Sequence, residues 1–288
     1  MVAAPLRRAV VRQHGSTPTD GSTMTATAGD VVGALRAAGC VFAEEEAALL
    51  LDAAGDDASL ARLVARRTAG EPLEQVLGWA GFAGLRLAVE PGVFVPRRRS
   101  ELLVREAVRL LSQGAGSAHG DAGRATVVDL CCGVGALGAA IAATADVELH
   151  AADVEPAAVR CARRNLPGHR VHEGDLWEAL PATLRGRVDV VVANAPYVPT
   201  GAIALMPPEA RDHEPATALD GGPDGTDVQA RVAAGAAAWL RPGGHLLLET
   251  SREQAPRTVA LLEAGGLAAH VVSDEDLHAT VVVGRRPG

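Results

Sequence analysis

The chain has 288 residues, 48% of them hydrophobic but only 2% aromatic, and its 27 Lys+Arg against 35 Asp+Glu leave a net charge of −8. That length holds one decorated α/β domain or a large domain with a small companion, with a core built from Ala, Val and Leu. The acidic balance argues against a grip on a nucleic-acid backbone, and no apolar run approaches the ~20 residues of a membrane span.

Residues 1–29 are basic at first, then rich in Gly, Ser, Thr and Pro. They lack the continuous apolar stretch of a secretory signal and are expected to be disordered. From Asp30 to about Thr68 the pattern is helical. Asp30 is the candidate N-cap of the first helix, which stops at Gly39, and each following helix also ends at a glycine. A small helical region is expected over 30–78. GLRLAVEPG (84–92) alternates like a strand running into a turn, and SELLVREAVRLLSQ (100–113) is an amphipathic helix capped by Ser100. These form a connecting hairpin and helix segment over 79–123, ending in a Gly/Ser/Ala/His linker.

From residue 124 to 288 strands and helices alternate. Strands are predicted at 125–130, 148–153, 169–175, 187–194 and 243–250, with helices at 135–145, 155–166, 228–240 and 252–266. Two last strands at 267–273 and 277–286 form a hairpin. The expectation is an α/β fold with a doubly wound, mostly parallel, seven-stranded Rossmann-like sheet and an antiparallel terminal hairpin. The cysteines Cys40, Cys131, Cys132 and Cys161 include an adjacent pair and no CxxC spacing. Reduced thiols in the cytoplasm are expected, with neither disulfides nor a metal site.

Two motifs carry chemistry. DLCCGVGALG (129–138) sets Gly133-x-Gly135-x-x-Gly138 between a strand and a helix, where missing side chains and a helix N-terminus let a ligand approach. Such a loop alone fits a dinucleotide or S-adenosylmethionine about equally. Three acids tip the balance toward the second. Asp129 would repel a pyrophosphate but suits a cationic amino-acid end. Asp153 ends the next strand, placed for ribose hydroxyls. Asp175 precedes Leu176 and Trp177, a carboxylate for an exocyclic amine beside flat apolar groups for an adenine ring. The second motif, Asn194-Ala195-Pro196-Tyr197, ends the fourth strand, at the sheet edge where open α/β sheets bind ligands.

The order of these motifs resembles the protein-(glutamine-N(5)) methyltransferases that modify peptide-chain release factors. Residues 67–104, EPATALDGGPDGTD (214–227) and LRPGGHLLLE (240–249) are similar to that family's connecting segment, acidic glycine-rich loop and following strand. The resemblance covers about 67–286. It implies an enzyme whose cofactor, S-adenosyl-L-methionine, lies along Asp129, Cys131, Cys132, Gly133, Val134 and Gly135, with Asp153, Val154, Asp175, Leu176, Trp177, Asn194 and Arg97. The acceptor would be a protein glutamine, held by the Asn194 side chain and the Ala195 carbonyl between Pro196 and Tyr197. The helical region 30–78 would recognise that protein, and the enzyme would be a monomer with no metal. Departures are Ala195 for the family's first proline, and Pro96-Arg97-Arg98-Arg99-Ser100-Glu101 for its usual Pro-Arg-Pro-Glu-Thr-Glu. His278-Ala279-Thr280 also replaces an Arg-Asp pair, and the N-terminal helical region is short. The competing readings are another protein or a small amide or amine as acceptor, an NAD-dependent oxidoreductase, and a non-catalytic S-adenosylmethionine-binding protein.

Overall fold

The computed structural model describes residues 27–114 and 123–288. Of the disorder expected over 1–29, residues 1–26 lie outside the described residues, as does 115–122 of the linker, whereas Thr27 is a helix cap and Ala28 and Gly29 are helical. The chain divides into two compact units, Met1–Val64 and Ala65–Gly288.

In the first unit α1 (Ala28–Ala37) and α2 (Ala43–Ala53) pack together, and α3 (Asp57–Thr68) runs through the unit boundary. The start of α1 corrects the sequence reading. Thr27 is the N-cap, its Oγ1 accepting the Asp30 N–H at 3.2 Å while Asp30 Oδ2 accepts the Thr27 N–H at 3.0 Å. Asp30 is therefore the third residue of a capping box, since a short acid there can reach back to the free N–H. α2 has no side-chain cap, but Glu44, Glu45 and Glu46 sit against the positive end of its dipole.

The second unit begins with α4 (Leu73–Leu77) and a hairpin of β1 (Trp79–Phe82) and β2 (Leu85–Ala88). Its two-residue turn places Ala83 at φ 48° and Gly84 at φ 79°, the left-handed pair that matches strand twist. The predicted strand at 84–92 is thus shorter, ending at Ala88, and pairs antiparallel with β1. A turn at Arg98–Ser100 leads into α5 (Glu101–Gly114).

The expected sheet follows. β3 (Ala125–Leu130), α6 (Ala136–Thr144), β4 (Val147–Asp153), α7 (Pro156–Asn165), β5 (Arg170–Glu173) and β6 (Val188–Ala193) alternate. Two short helices, α8 (Pro208–His213) and α9 (Ala216–Leu219), precede α10 (Asp227–Trp239). β7 (Leu240–Thr250), α11 (Ala255–Ala264), β8 (Ala268–Asp274) and β9 (Ala279–Arg285) complete it. The spatial order is β5-β4-β3-β6-β7-β9-β8, parallel except for the two pairings of β9.

Both faces of this sheet are covered, which is why its strands read as nearly unbroken apolar runs. Val127, Val190, Val192, Leu247, Val281 and Val283 pack on the side of α5, α6 and α7. Their neighbours Val128, Val191, Leu246, Leu248 and Val282 pack on the side of α10 and α11. β3 has β4 on one side and β6 on the other, so the connections leaving β3 and β6 diverge. That opens a crevice at the carboxyl ends of β3, β4 and β6.

Candidate active site

After β3 the backbone turns sharply: Cys131, Gly133 and Gly135 take φ of 54°, 55° and 79° before α6 begins. A Cβ added to Gly133 would meet no protein atom within 4 Å, because the space beside it is the crevice. At Gly135 a Cβ would lie 2.9 Å from Leu166 Cδ1, so this glycine is required by packing. Val134 is buried, and its carbonyl accepts from Asn165 Nδ2 at 2.8 Å, which also holds the Ala88 carbonyl of β2 at 2.9 Å. The loop is thereby fastened to the hairpin.

Asp129 occupies a different place from the one the sequence suggests. It is wholly buried beneath the loop, its Oδ2 accepting the Gly138 N–H at 2.9 Å and its Oδ1 without a partner. Burial pushes its pKa up to about 7. Asp153, at the end of β4, does border the crevice. Its Oδ2 accepts the Gly133 N–H at 2.8 Å and its Oδ1 the Glu155 N–H at 2.9 Å, while burial raises its pKa.

The crevice is a cavity of about 360 Å³. Asp153, Val154 and Glu155 line it from the end of β4, Asp175 and Leu176 from the turn after β5, and Asn194 and Pro196 from the end of β6. Thr217, Ala218 and Asp220 close it from the 214–227 loop, where Thr217 Oγ1 donates to Glu155 Oε1 at 2.7 Å. Val154 is 53% exposed, an apolar surface that a flat ring would cover. A smaller recess of about 40 Å³ shares Phe94, Cys131, Gly133 and Asn194 with the cavity and adds Phe82, Pro96, Ser100, Cys132, Val134 and Leu137. Burial raises the thiol pKa of both Cys131 and Cys132, so they stay protonated.

Two expected ligand residues are placed elsewhere. Leu176 takes φ 47°, and the turn Leu176–Ala179 carries Trp177 away from the cavity. The Trp177 indole stacks on Trp239 at 5.7 Å and donates to the Val232 carbonyl at 3.1 Å. Arg97 binds Glu214 Oε1 at 2.6 Å, because that buried carboxylate needs a cation more than the cavity does. Sequence reasoning in turn missed Arg231 of α10, which lines the cavity and binds Asp175 Oδ2 at 2.5 Å. No local pattern links residues 56 positions apart.

The acceptor motif is held from both ends. Asn194 Nδ2 donates to Ser100 Oγ at 3.3 Å. Ala195 is buried, and the Tyr197 hydroxyl donates to Glu249 Oε1 at 3.1 Å, turned toward β7 instead of walling the cavity. Burial raises the Tyr197 pKa. Arg99 Nε shares the same Glu249 oxygen at 3.1 Å. Ser100 therefore serves Asn194 and not the start of α5. Among the described residues, no group of three or more His, Cys, Asp or Glu side chains is arranged to hold a metal, and no helix is long and apolar enough to cross a membrane.

Residues 87–206 match the methyltransferase small domain family. The chain is 40% identical over 204 residues to the release factor glutamine methyltransferase of Streptomyces coelicolor, covering 69% of each chain. It is 36% identical over 217 residues to a 4-amino-L-phenylalanine/4-methylamino-L-phenylalanine methyltransferase of Streptomyces pristinaespiralis, covering 73% of this chain and 71% of the relative. Among solved structures, a methyltransferase from Pyrococcus furiosus superposes with a TM-score of 0.51 at 15% identity, over 78% of this chain and 98% of that one, which shows the shared fold.

Proposed function

The chain belongs to the release factor glutamine methyltransferase family, and from that premise we propose that it transfers a methyl group from S-adenosylmethionine to the side-chain amide nitrogen of a glutamine, in the Gly-Gly-Gln loop of a peptide-chain release factor. The observation that carries the reading is Asn194, which borders both the cavity and the recess while no described donor reaches its Oδ1.

The cavity suits the cofactor. The open space over Gly133 admits a ligand against the backbone, and Asp153 keeps lone pairs for two ribose hydroxyls beyond the N–H groups it already holds. Val154 and Leu176 offer apolar contact to the adenine faces and Asp175 an acceptor for its amine. When bound, S-adenosylmethionine supplies an electrophilic methyl on a sulfonium. Asp129 sets the loop's shape through Gly138 and acts on the cofactor only from behind it.

An amide nitrogen is a poor nucleophile because its lone pair is delocalised into the carbonyl. The Asn194 Oδ1 and the Ala195 carbonyl can each accept one N–H of the acceptor's NH₂, which aims the nitrogen and favours positive charge as it develops there. The proton becomes acidic only as the new bond forms, so no strong base is required beside Asn194. Burial keeps Cys131 and Cys132 as thiols, which removes the one pair of competing nucleophiles in the recess. Free cysteines and a net charge of −8 support action in the cytosol, on a protein and not on nucleic acid.

The test is incubation of the chain with a purified release factor and labelled S-adenosylmethionine, followed by mass spectrometry. One added methyl on the glutamine of the Gly-Gly-Gln loop is expected. A second reading, methylation of a small aromatic amine, is favoured by the Streptomyces pristinaespiralis relative. Labelling of 4-amino-L-phenylalanine with none on the release factor would establish it.

A further inference from the structure

We propose that Ser100 is a positioning residue that holds the Asn194 amide by its nitrogen, with its oxygen left to face the methyl acceptor. The inference rests on the assignment of Asn194 as the acceptor's partner. Ser100 is 3% exposed and lies in the turn Arg98–Ser100, its own N–H bonded to the Arg97 carbonyl at 2.9 Å. Its Oγ takes the Asn194 Nδ2 at 3.3 Å, on the wall of the recess. With Nδ2 engaged there, the oxygen is the end left to the cavity.

That choice matters because the acceptor group is itself an NH₂. An asparagine turned over would set N–H against N–H, losing the hydrogen bond and repelling the nitrogen that must be held. A lone hydroxyl can answer either end of an amide, but here its partner is Nδ2 and the turn that carries it is stiff. The preceding residue Arg99 is bonded to Glu249, and Glu249 takes the hydroxyl of Tyr197 on the same oxygen. Adjacent residues of one turn thus hold the first and last residues of the Asn194-Ala195-Pro196-Tyr197 motif. The Ser100 hydroxyl has no duty to the start of α5 that would account for its burial.

The experiment compares Ser100→Ala and Ser100→Thr, each in the parent chain and in the Asn194→Asp background. Single-turnover methyl transfer is measured at saturating S-adenosylmethionine, and S-adenosylhomocysteine affinity by calorimetry. Ser100→Ala should slow transfer about 10- to 100-fold, as expected when a reacting group is misplaced, with S-adenosylhomocysteine affinity unchanged. Ser100→Thr, which keeps the hydroxyl, should restore most of the rate. A carboxylate has two like ends, so in the Asn194→Asp background Ser100→Ala should cost far less than in the parent. Parental transfer by Ser100→Ala, an equal loss in both backgrounds, or a parallel loss of S-adenosylhomocysteine affinity each overturns the proposal. If the parent labels a small amine and no glutamine, the proposed function fails by itself. The Ser100 comparison is then run on that amine, whose NH₂ poses the same question.

Discussion

Asp153 and Gly133 are joined across the ends of β4 and β3 by a hydrogen bond of 2.8 Å, carboxylate oxygen to loop N–H. The same carboxylate borders the cavity. One side chain therefore both shapes the loop and lines the cavity proposed for the cofactor, and its removal would disturb both. Asp153→Ala should weaken S-adenosylhomocysteine binding by about 1–3 kcal/mol, read by calorimetry. An unchanged affinity would remove Asp153 from the cofactor site.

Asp129 provides a test by pH. Its pKa is pushed from 3.8 to about 7 by burial, so between those values the folded protein binds a proton that the unfolded chain has released. The stability Asp129 contributes is full below about pH 4 and is lost as pH rises through about 7. Asp129→Asn keeps an acceptor for Gly138 without the ionisation. Its thermal midpoint should fall less than the parent's between pH 5 and 8. Part of the slope should persist, because burial raises Asp153 as well.

The two atoms proposed to hold the acceptor come from different parts of their residues. Asn194→Ala deletes a side-chain oxygen and should slow transfer by ~10²–10³. Ala195 offers only a carbonyl, so Ala195→Pro should keep the rate or raise it by stiffening the loop. Single-turnover transfer at saturating cofactor measures both. A parental rate for Asn194→Ala would refute the acceptor assignment.

Gly235 of α10 leaves the notch that takes Trp177. A Cβ there would lie 2.3 Å from the Trp177 Nε1, too close for either to remain in place. Gly235→Ala should destabilise the fold by about 1–3 kcal/mol through overpacking, with loss of the Trp177 to Val232 hydrogen bond seen as altered tryptophan fluorescence. Unchanged thermal stability would contradict this packing.

The Trp177 case also shows where sequence reading stops. Adjacency to Asp175 suggested a common ligand, but a left-handed Leu176 between them sends the two side chains apart. Strands were legible because burial on both faces leaves long apolar runs, and 125–130 is strand Ala125–Leu130 in the structure. The helices Pro208–His213 and Ala216–Leu219 span too few residues to show a period. The glycine loop and the acceptor motif could be located because each is contiguous. The partners of Asp175, Arg97 and Tyr197, which are Arg231, Glu214 and Glu249, lie between 52 and 117 residues away and belong to the tertiary fold.

Glu214 has a consequence for turnover. Its Oε1 holds both the Val95 N–H at 3.0 Å and Arg97, while Gln75 Nε2 spans the Val93 and His213 carbonyls at 2.9 and 3.4 Å. Between these ties, Phe94 faces the cavity from one side and Thr217, Ala218 and Asp220 from the other. The two lips of the mouth are thus one hydrogen-bonded unit. Parting them would leave a buried carboxylate without its cation, so any opening of the mouth carries an electrostatic cost set far from the atoms that react.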